Sequence, residues 1–204
     1  SGPGFADTNQ EIVFGVGHGC DGSDTQGIRI EIPAEVVSVR AVDATLGPAT
    51  IELDDAGLVR FVSWQKPALS VLSSDSNYYK VSLRVKVPNR PFSTIYFPTR
   101  QTCLSAEGEE LIVDWASTEP SESESGPEPA PALKILPKRY PGWNKFQVSS
   151  AIEDLSAYFA DAVIVWRGNS AYSSNPTTTE LIAETSGVST LGALASGDEI
   201  WVKY

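Results

Sequence analysis

Residues 78–87, Tyr78-Tyr79-Lys80-Val81-Ser82-Leu83-Arg84-Val85-Lys86-Val87, alternate apolar and polar side chains along their whole length. A period of two sends successive side chains to opposite faces, so this run predicts a strand with one buried face. Ile28-Arg29-Ile30-Glu31-Ile32 repeats the pattern, with three isoleucines on one side before Pro33 ends it. Glu11 to Val16, Val36 to Val42, Thr50 to Leu53, Leu58 to Trp64, Thr94 to Phe97 and Leu111 to Trp115 read as further strands. Their connections carry turn residues, as in Gly17-His18-Gly19-Cys20-Asp21-Gly22-Ser23-Asp24 and Asp54-Asp55-Ala56-Gly57. About seven or eight short strands with almost no helical period predict a mainly β chain folded as a sandwich.

Outward from these strands the composition changes. Residues 117–132 hold four Pro and four Glu and nothing bulky enough to make a core, which predicts an acidic, extended linker. Beyond it the pattern mixes periods. Ser149 or Ser150 can cap a helix from Ala151 to about Ala160, with Ile152, Leu155 and Phe159 on one face. Ala162 to Trp166 reads as a strand, Thr177 to Thr185 as a helix opened by Asn175-Pro176, Leu191 to Ala195 as a third short helix, and Ile200 to Tyr204 as a closing strand. The expected organisation is thus a β-sandwich over 1–116, the linker over 117–132, and a small α+β module over 133–204 that needs support because of its size.

Two cysteines, Cys20 and Cys103, lie 83 positions apart, which is not the close spacing of metal ligands. A disulfide is the simpler reading, and it places the chain in an oxidising compartment: extracellular, cell-surface or periplasmic, with a signal peptide removed. No run is long and apolar enough to span a membrane. The net charge of −11 opposes nucleic acid, which demands clustered Lys and Arg.

Gly19-Cys20-Asp21-Gly22-Ser23, Tyr96-Phe97-Pro98, Gln101-Thr102-Cys103 and Trp115 follow one another in order, with Trp64 and the Tyr78-Tyr79 strand between them. In this the chain resembles the YcnI-like family of exported bacterial copper-handling proteins, over about residues 9–116. The resemblance implies an immunoglobulin-like sandwich and agrees with the Cys20–Cys103 pairing. It also implies a copper site made by an N-terminal histidine, a carboxylate and a tryptophan. Glu11 and Trp115 stand for the last two, but the chain begins Ser1-Gly2-Pro3-Gly4 without a histidine. The copper function therefore does not carry over as it stands.

His18 is the only histidine, so a relocated metal site would consist of His18, Glu11 and Trp115, against the plainer reading of His18 as a loop residue. Asp21, Ser23 and Asp24 offer oxygen ligands for calcium, but the same residues suit a tight turn. No nucleophile elbow or phosphate loop occurs, and one histidine cannot furnish a credible triad. Trp143, Trp166, Tyr172 and Trp201 crowd the C-terminal module, either as its core or as an aromatic binding face. The sequence thus points to a non-enzymatic, exported binding or structural protein. The expected partners are protein, including copies of itself, or carbohydrate; no cofactor is expected, copper and calcium being the two ions the residues admit. Metal handling is the competing reading.

Overall fold

The computed structural model describes residues 2–118 and 127–204, and the chain divides into two compact units. The first takes in Thr8–Pro88 and Thr94–Leu133. It is the sandwich that the alternating runs predict. One sheet has three antiparallel strands, with Tyr79–Lys86 between Asn9–Val16 and Val37–Val42. Tyr79, Val81, Leu83 and Val85 are buried while Lys80, Ser82 and Arg84 are not, so the period of two translates directly into an inner and an outer face.

The other sheet has six strands, in the order Glu128–Pro129, Glu110–Ser117, Thr99–Leu104, Thr25–Glu31, Val59–Gln65 and Ala49–Leu53. Its inner face contributes Ile28, Ile30, Val62, Trp64 and Cys103 to the core. The outer face carries charged pairs across neighbouring strands: Arg29 with Glu52, Arg60 with Glu31 and Arg100 with Asp114. Phe14 and Phe97 meet edge-on with centroids 5.4 Å apart. Cys20 and Cys103 are bonded, with Cα atoms 5.8 Å apart, as the cysteine usage predicts.

The expected linker changes character. Of 117–132, residues 119–126 lie outside the described residues. At its start Ser117 closes the strand Glu110–Ser117, and at its end Glu128–Pro129 pairs in parallel with that same strand, Trp115 opposite Glu128. Proline is tolerated here because Glu128–Pro129 is an edge strand, where a missing N–H removes no ladder bond. Ala130 N–H then donates to Ser117 O (2.8 Å), and Ala130 is buried.

The second unit is not the 133–204 stretch alone. It comprises Lys134–Tyr204 together with Pro3–Asp7 and Asn89–Ser93. Gly4–Phe5 runs parallel to Ile135–Leu136. A five-stranded sheet has the order Trp143–Gln147, Glu199–Lys203, Ile164–Arg167, Ser170–Tyr172 and Ser189–Thr190. The closing strand is therefore interior to the sheet, paired on both sides.

Phe92 lies in the core of this unit among Val148, Ile152, Leu155, Phe159, Ile200 and Val202. It adopts φ 65°, a conformation a side chain with Cβ rarely takes. Its backbone is fixed on both sides: Phe92 N–H donates to Ile135 O, and Ser150 Oγ donates to Phe92 O. That use of Ser150, and of Ser149 on Pro91 O, explains why neither serine caps a helix. The helix expected from Ala151 shrinks to Ser156–Phe159, and 191–195 forms no helix, Leu194 instead bridging Ile152. The helix Pro176–Glu184 stands as expected, its first N–H groups accepted by Asn175 Oδ1.

Candidate functional site

Within the first unit, a narrow cleft of about 110 Å³ is lined by Phe14, Gly15, Val16, Gly17, His18, Ile28, Thr99, Gln101, Trp115 and Pro131. Gln101 organises it. The strand Thr99–Leu104 buries Thr99, Gln101 and Cys103 in alternation, which places an amide on the inner face beside the disulfide. Gln101 Nε2 donates to His18 O (2.7 Å) and Thr25 Oγ1 (2.8 Å), and Oε1 accepts from Trp115 Nε1 (3.0 Å). The amide is thus fully engaged, anchoring the His18 loop and fixing the indole. His18 and Trp115 stand with ring centroids 5.6 Å apart. A carbonyl only accepts, so the 2.8 Å contact to Gly19 O makes His18 Nδ1 the donor.

Of the three residues of the expected metal site, the structure brings together His18 and Trp115 but not Glu11. Ile12, Phe14 and Val16 of the strand Asn9–Val16 point inward, so Glu11 belongs to the opposite, exposed face. Both cysteines are oxidised, and the described residues contain no cluster of three or more His, Cys, Asp or Glu. One imidazole nitrogen without a second nitrogen or sulfur donor does not fit copper.

The calcium candidate is likewise redistributed. Ser23 exchanges backbone hydrogen bonds with Cys20, and Asp21 takes φ 49° in the turn between them. Asp24 is wholly buried and already satisfied: Oδ1 accepts from Tyr79 OH (2.8 Å), Oδ2 from Lys66 Nζ (2.5 Å) and Leu72 N–H (2.7 Å). Lys66 Nζ also donates to Tyr79 OH (2.7 Å). Burial pushes the Asp24 carboxyl up, but the hydrogen bonds of Lys66, Leu72 and Tyr79 and the lysine charge outweigh it and hold it below the usual carboxylate range. The acidic turn is thus one end of a buried ion pair, its partner lying 42 residues on.

In the second unit three of the four aromatics named from sequence are laid open. Trp143 is 52% exposed, Trp201 46%, and Trp166 half-buried, and the three line one shallow, apolar depression. The register explains the grouping. Lys145, Trp201 and Trp166 lie side by side across three strands, and Trp143 sits one pleat along, opposite Lys203. Asn144, Ile200, Val202 and Val165, out of phase with them, face the core. Lys145 Nζ is 5.7 Å from the Trp201 ring and 2.8 Å from Glu199 Oε2. Tyr172 belongs to the other face: it pairs with buried Val165 and packs on the core, and burial pushes its hydroxyl up. Tyr172 therefore stands apart from the three tryptophans, because an odd step along its strand turns it to the other face.

The profile of a family described as a domain of unknown function, DUF1775, matches residues 4–135, well over half of the chain. The chain belongs to this family. YcnI-like proteins carry the DUF1775 domain, so the likeness read from the Cys20 and Cys103 segments holds. The chain is also similar to a solved structure, the crystal structure of an uncharacterized protein from Nocardia farcinica described as revealing an immunoglobulin-like fold. The TM-score is 0.53 at 19% identity, covering 65% of this chain and 92% of that one. No curated protein matches. His18, Gln101 and Trp115 fall inside the DUF1775 match, whereas Trp143, Trp166 and Trp201 fall beyond its end at residue 135.

Proposed function

We propose that the protein is a non-enzymatic, exported binding protein whose contact surface is the face formed by Trp143, Trp166 and Trp201. The observation that carries this reading is the exposure of Trp143 and Trp201 beside half-buried Trp166 on one sheet face. Large apolar rings are ordinarily kept inside, and a cluster left in water marks a contact surface. The charge chemistry agrees. Asp24, Glu52, Asp114, Asp154 and Asp198 all titrate below the usual range because each is hydrogen-bonded to a neighbour as an anion. None of these five is tuned as a general acid for neutral pH, which needs the opposite shift. The Cys20–Cys103 bond supports export, since such a bond persists in oxidising compartments.

The test is retention on the insoluble envelope fraction of the producing cells. Wild-type protein is expected to be depleted from solution by it, and Trp143→Ala/Trp201→Ala to stay behind at an unchanged melting temperature. Equal behaviour of the two proteins would remove the reading.

A further inference from the structure

We infer that the tryptophan face is a subsite for a neutral polysaccharide chain. The inference rests on the proposed reading of that face as the contact surface and names its ligand class. Sugar rings are amphipathic: each has an apolar face of C–H groups and a rim of hydroxyls. The face meets both demands. The indoles of Trp143, Trp166 and Trp201 offer flat stacking surfaces, and polar side chains alternate with them in the same rows: Lys145 beside Trp201, Lys203 beside Trp143, with Gln147 opposite Glu199 one pleat further.

The geometry selects a chain over a single sugar. Trp143 and Trp166 stand on strands separated by Glu199–Lys203 and two residues out of step, so their backbones are roughly 12 Å apart at ordinary strand spacing and rise. A platform of that width presents more than one ring position.

The competing occupants fit less well. Trp143 and Trp201, each roughly 250 Å² and about half exposed, offer on the order of 300 Å² together with the smaller open part of Trp166. A stable protein partner or second copy covers about 800 Å² a side. A quaternary ammonium needs an aromatic cage closed around the cation, whereas this depression is shallow and Lys145 already stands over Trp201. A polyanion, whether nucleic acid or acidic glycan, meets a protein of net charge −11. The Lys145 charge is moreover compensated by Glu199, and the Lys203 ammonium beside Trp143 can donate to sugar hydroxyls.

The inference is tested with the full chain by native gel electrophoresis through soluble polymers: laminarin, mannan, hydroxyethylcellulose and glycol chitin, with heparin as the polyanion. At least one neutral polymer is expected to retard the wild type. Trp201→Ala should weaken that binding at least tenfold, and Trp201→Phe, which keeps a ring, no more than about threefold. Unchanged melting temperatures exclude misfolding, and Trp143→Ala gives a second, independent reading of the same face. Retardation by none of the neutral polymers, by heparin alone, or equally in Trp201→Ala would overturn the inference. If envelope retention still depends on Trp143 and Trp201 while no neutral polymer retards, the ligand class is wrong and the binding surface stands. If envelope retention ignores the tryptophans, the surface itself falls.

Discussion

Replacing Lys66 with Met should be among the most damaging single changes in the first unit. Asp24 is wholly buried and Lys66 nearly so, and among the described residues no other cation is bonded to this carboxylate. The substitution keeps most of the side-chain volume but strands the acid against Tyr79 OH and Leu72 N–H alone. Removing one partner of a buried pair costs about 3–5 kcal/mol. For a chain of this size that corresponds to a fall in Tm of about 6–20 °C. Asp24→Asn/Lys66→Met, which removes both charges and keeps an acceptor for Leu72, should recover at least half of that loss, a coupling within the usual range of about 0.5–3 kcal/mol for contacting residues. The pH dependence carries opposite signs in the two proteins. In the wild type the Asp24 pKa is depressed on folding, so its contribution is complete above the unfolded value of about 3.9 and disappears as pH falls through the lower folded value. In Lys66→Met, burial without the lysine raises the folded pKa above the unfolded one, so stability should increase as pH drops from neutrality toward 5. Thermal unfolding of the four proteins across pH 3–8 reads all of this. A Lys66→Met cost under about 1 kcal/mol, or a double mutant equal to the sum of the singles, would refute the account.

Further outcomes are expected elsewhere. Replacing Cys20 and Cys103 by Ala should destabilise the protein by about 4.5 kcal/mol on the loop-entropy estimate for a separation of 83, and thiol titration of oxidised protein should find no free thiol. Phe92→Ala should cost about 3–5 kcal/mol by opening a cavity in the second unit's core, seen as an earlier thermal transition. For the same reason residues 134–204 expressed alone should lack cooperative unfolding, as checked by calorimetry. Gly19→Ala would set a Cβ 1.9 Å from Ser23 O, so the turn must move, at a cost of about 1–3 kcal/mol in denaturant unfolding.

What was legible in the sequence follows the range of the forces involved. Tyr79–Lys86 and the Ile28, Ile30, Ile32 run were plain because alternation is local and burial acts on each residue in turn. The disulfide was legible because two cysteines leave one partner each. Long-range partnerships were not. Asp24 has the same signature as a cation ligand or turn residue, and only the fold reveals Lys66 opposite it. Ser149 and Ser150 look like helix caps, but their hydroxyls are taken by Pro91 and Phe92, some 58 residues earlier. Gln101 left a fainter signal that could have been read: it shares the buried parity of Thr99 and Cys103, where an amide must find partners. In the C-terminal aromatics, strand phase separates Trp143, Trp166 and Trp201 from Tyr172, and that phase depends on strand limits that the sequence did not fix, Trp143–Gln147 among them.

The interleaving of the chain between its units also orders its birth. The three-stranded sheet of the first unit is complete once Lys86 has been made, and the six-stranded sheet once Pro129 has. The second unit waits far longer. Its parallel pair joins Gly4 to Ile135, its core joins Phe92 to Val202, and the strand between Trp143–Gln147 and Ile164–Arg167 follows both of them in the chain. Nascent chains gain those contacts only once Glu199–Lys203 has been made, and closing such wide loops is slow. During that interval Phe92 and Ile135 are apolar surface without a home, held by a half of the chain that has already folded. The segments 3–7 and 89–93 therefore wait for Glu199–Lys203, and a chain that stops short of Glu199 would have its sandwich formed and its second core open.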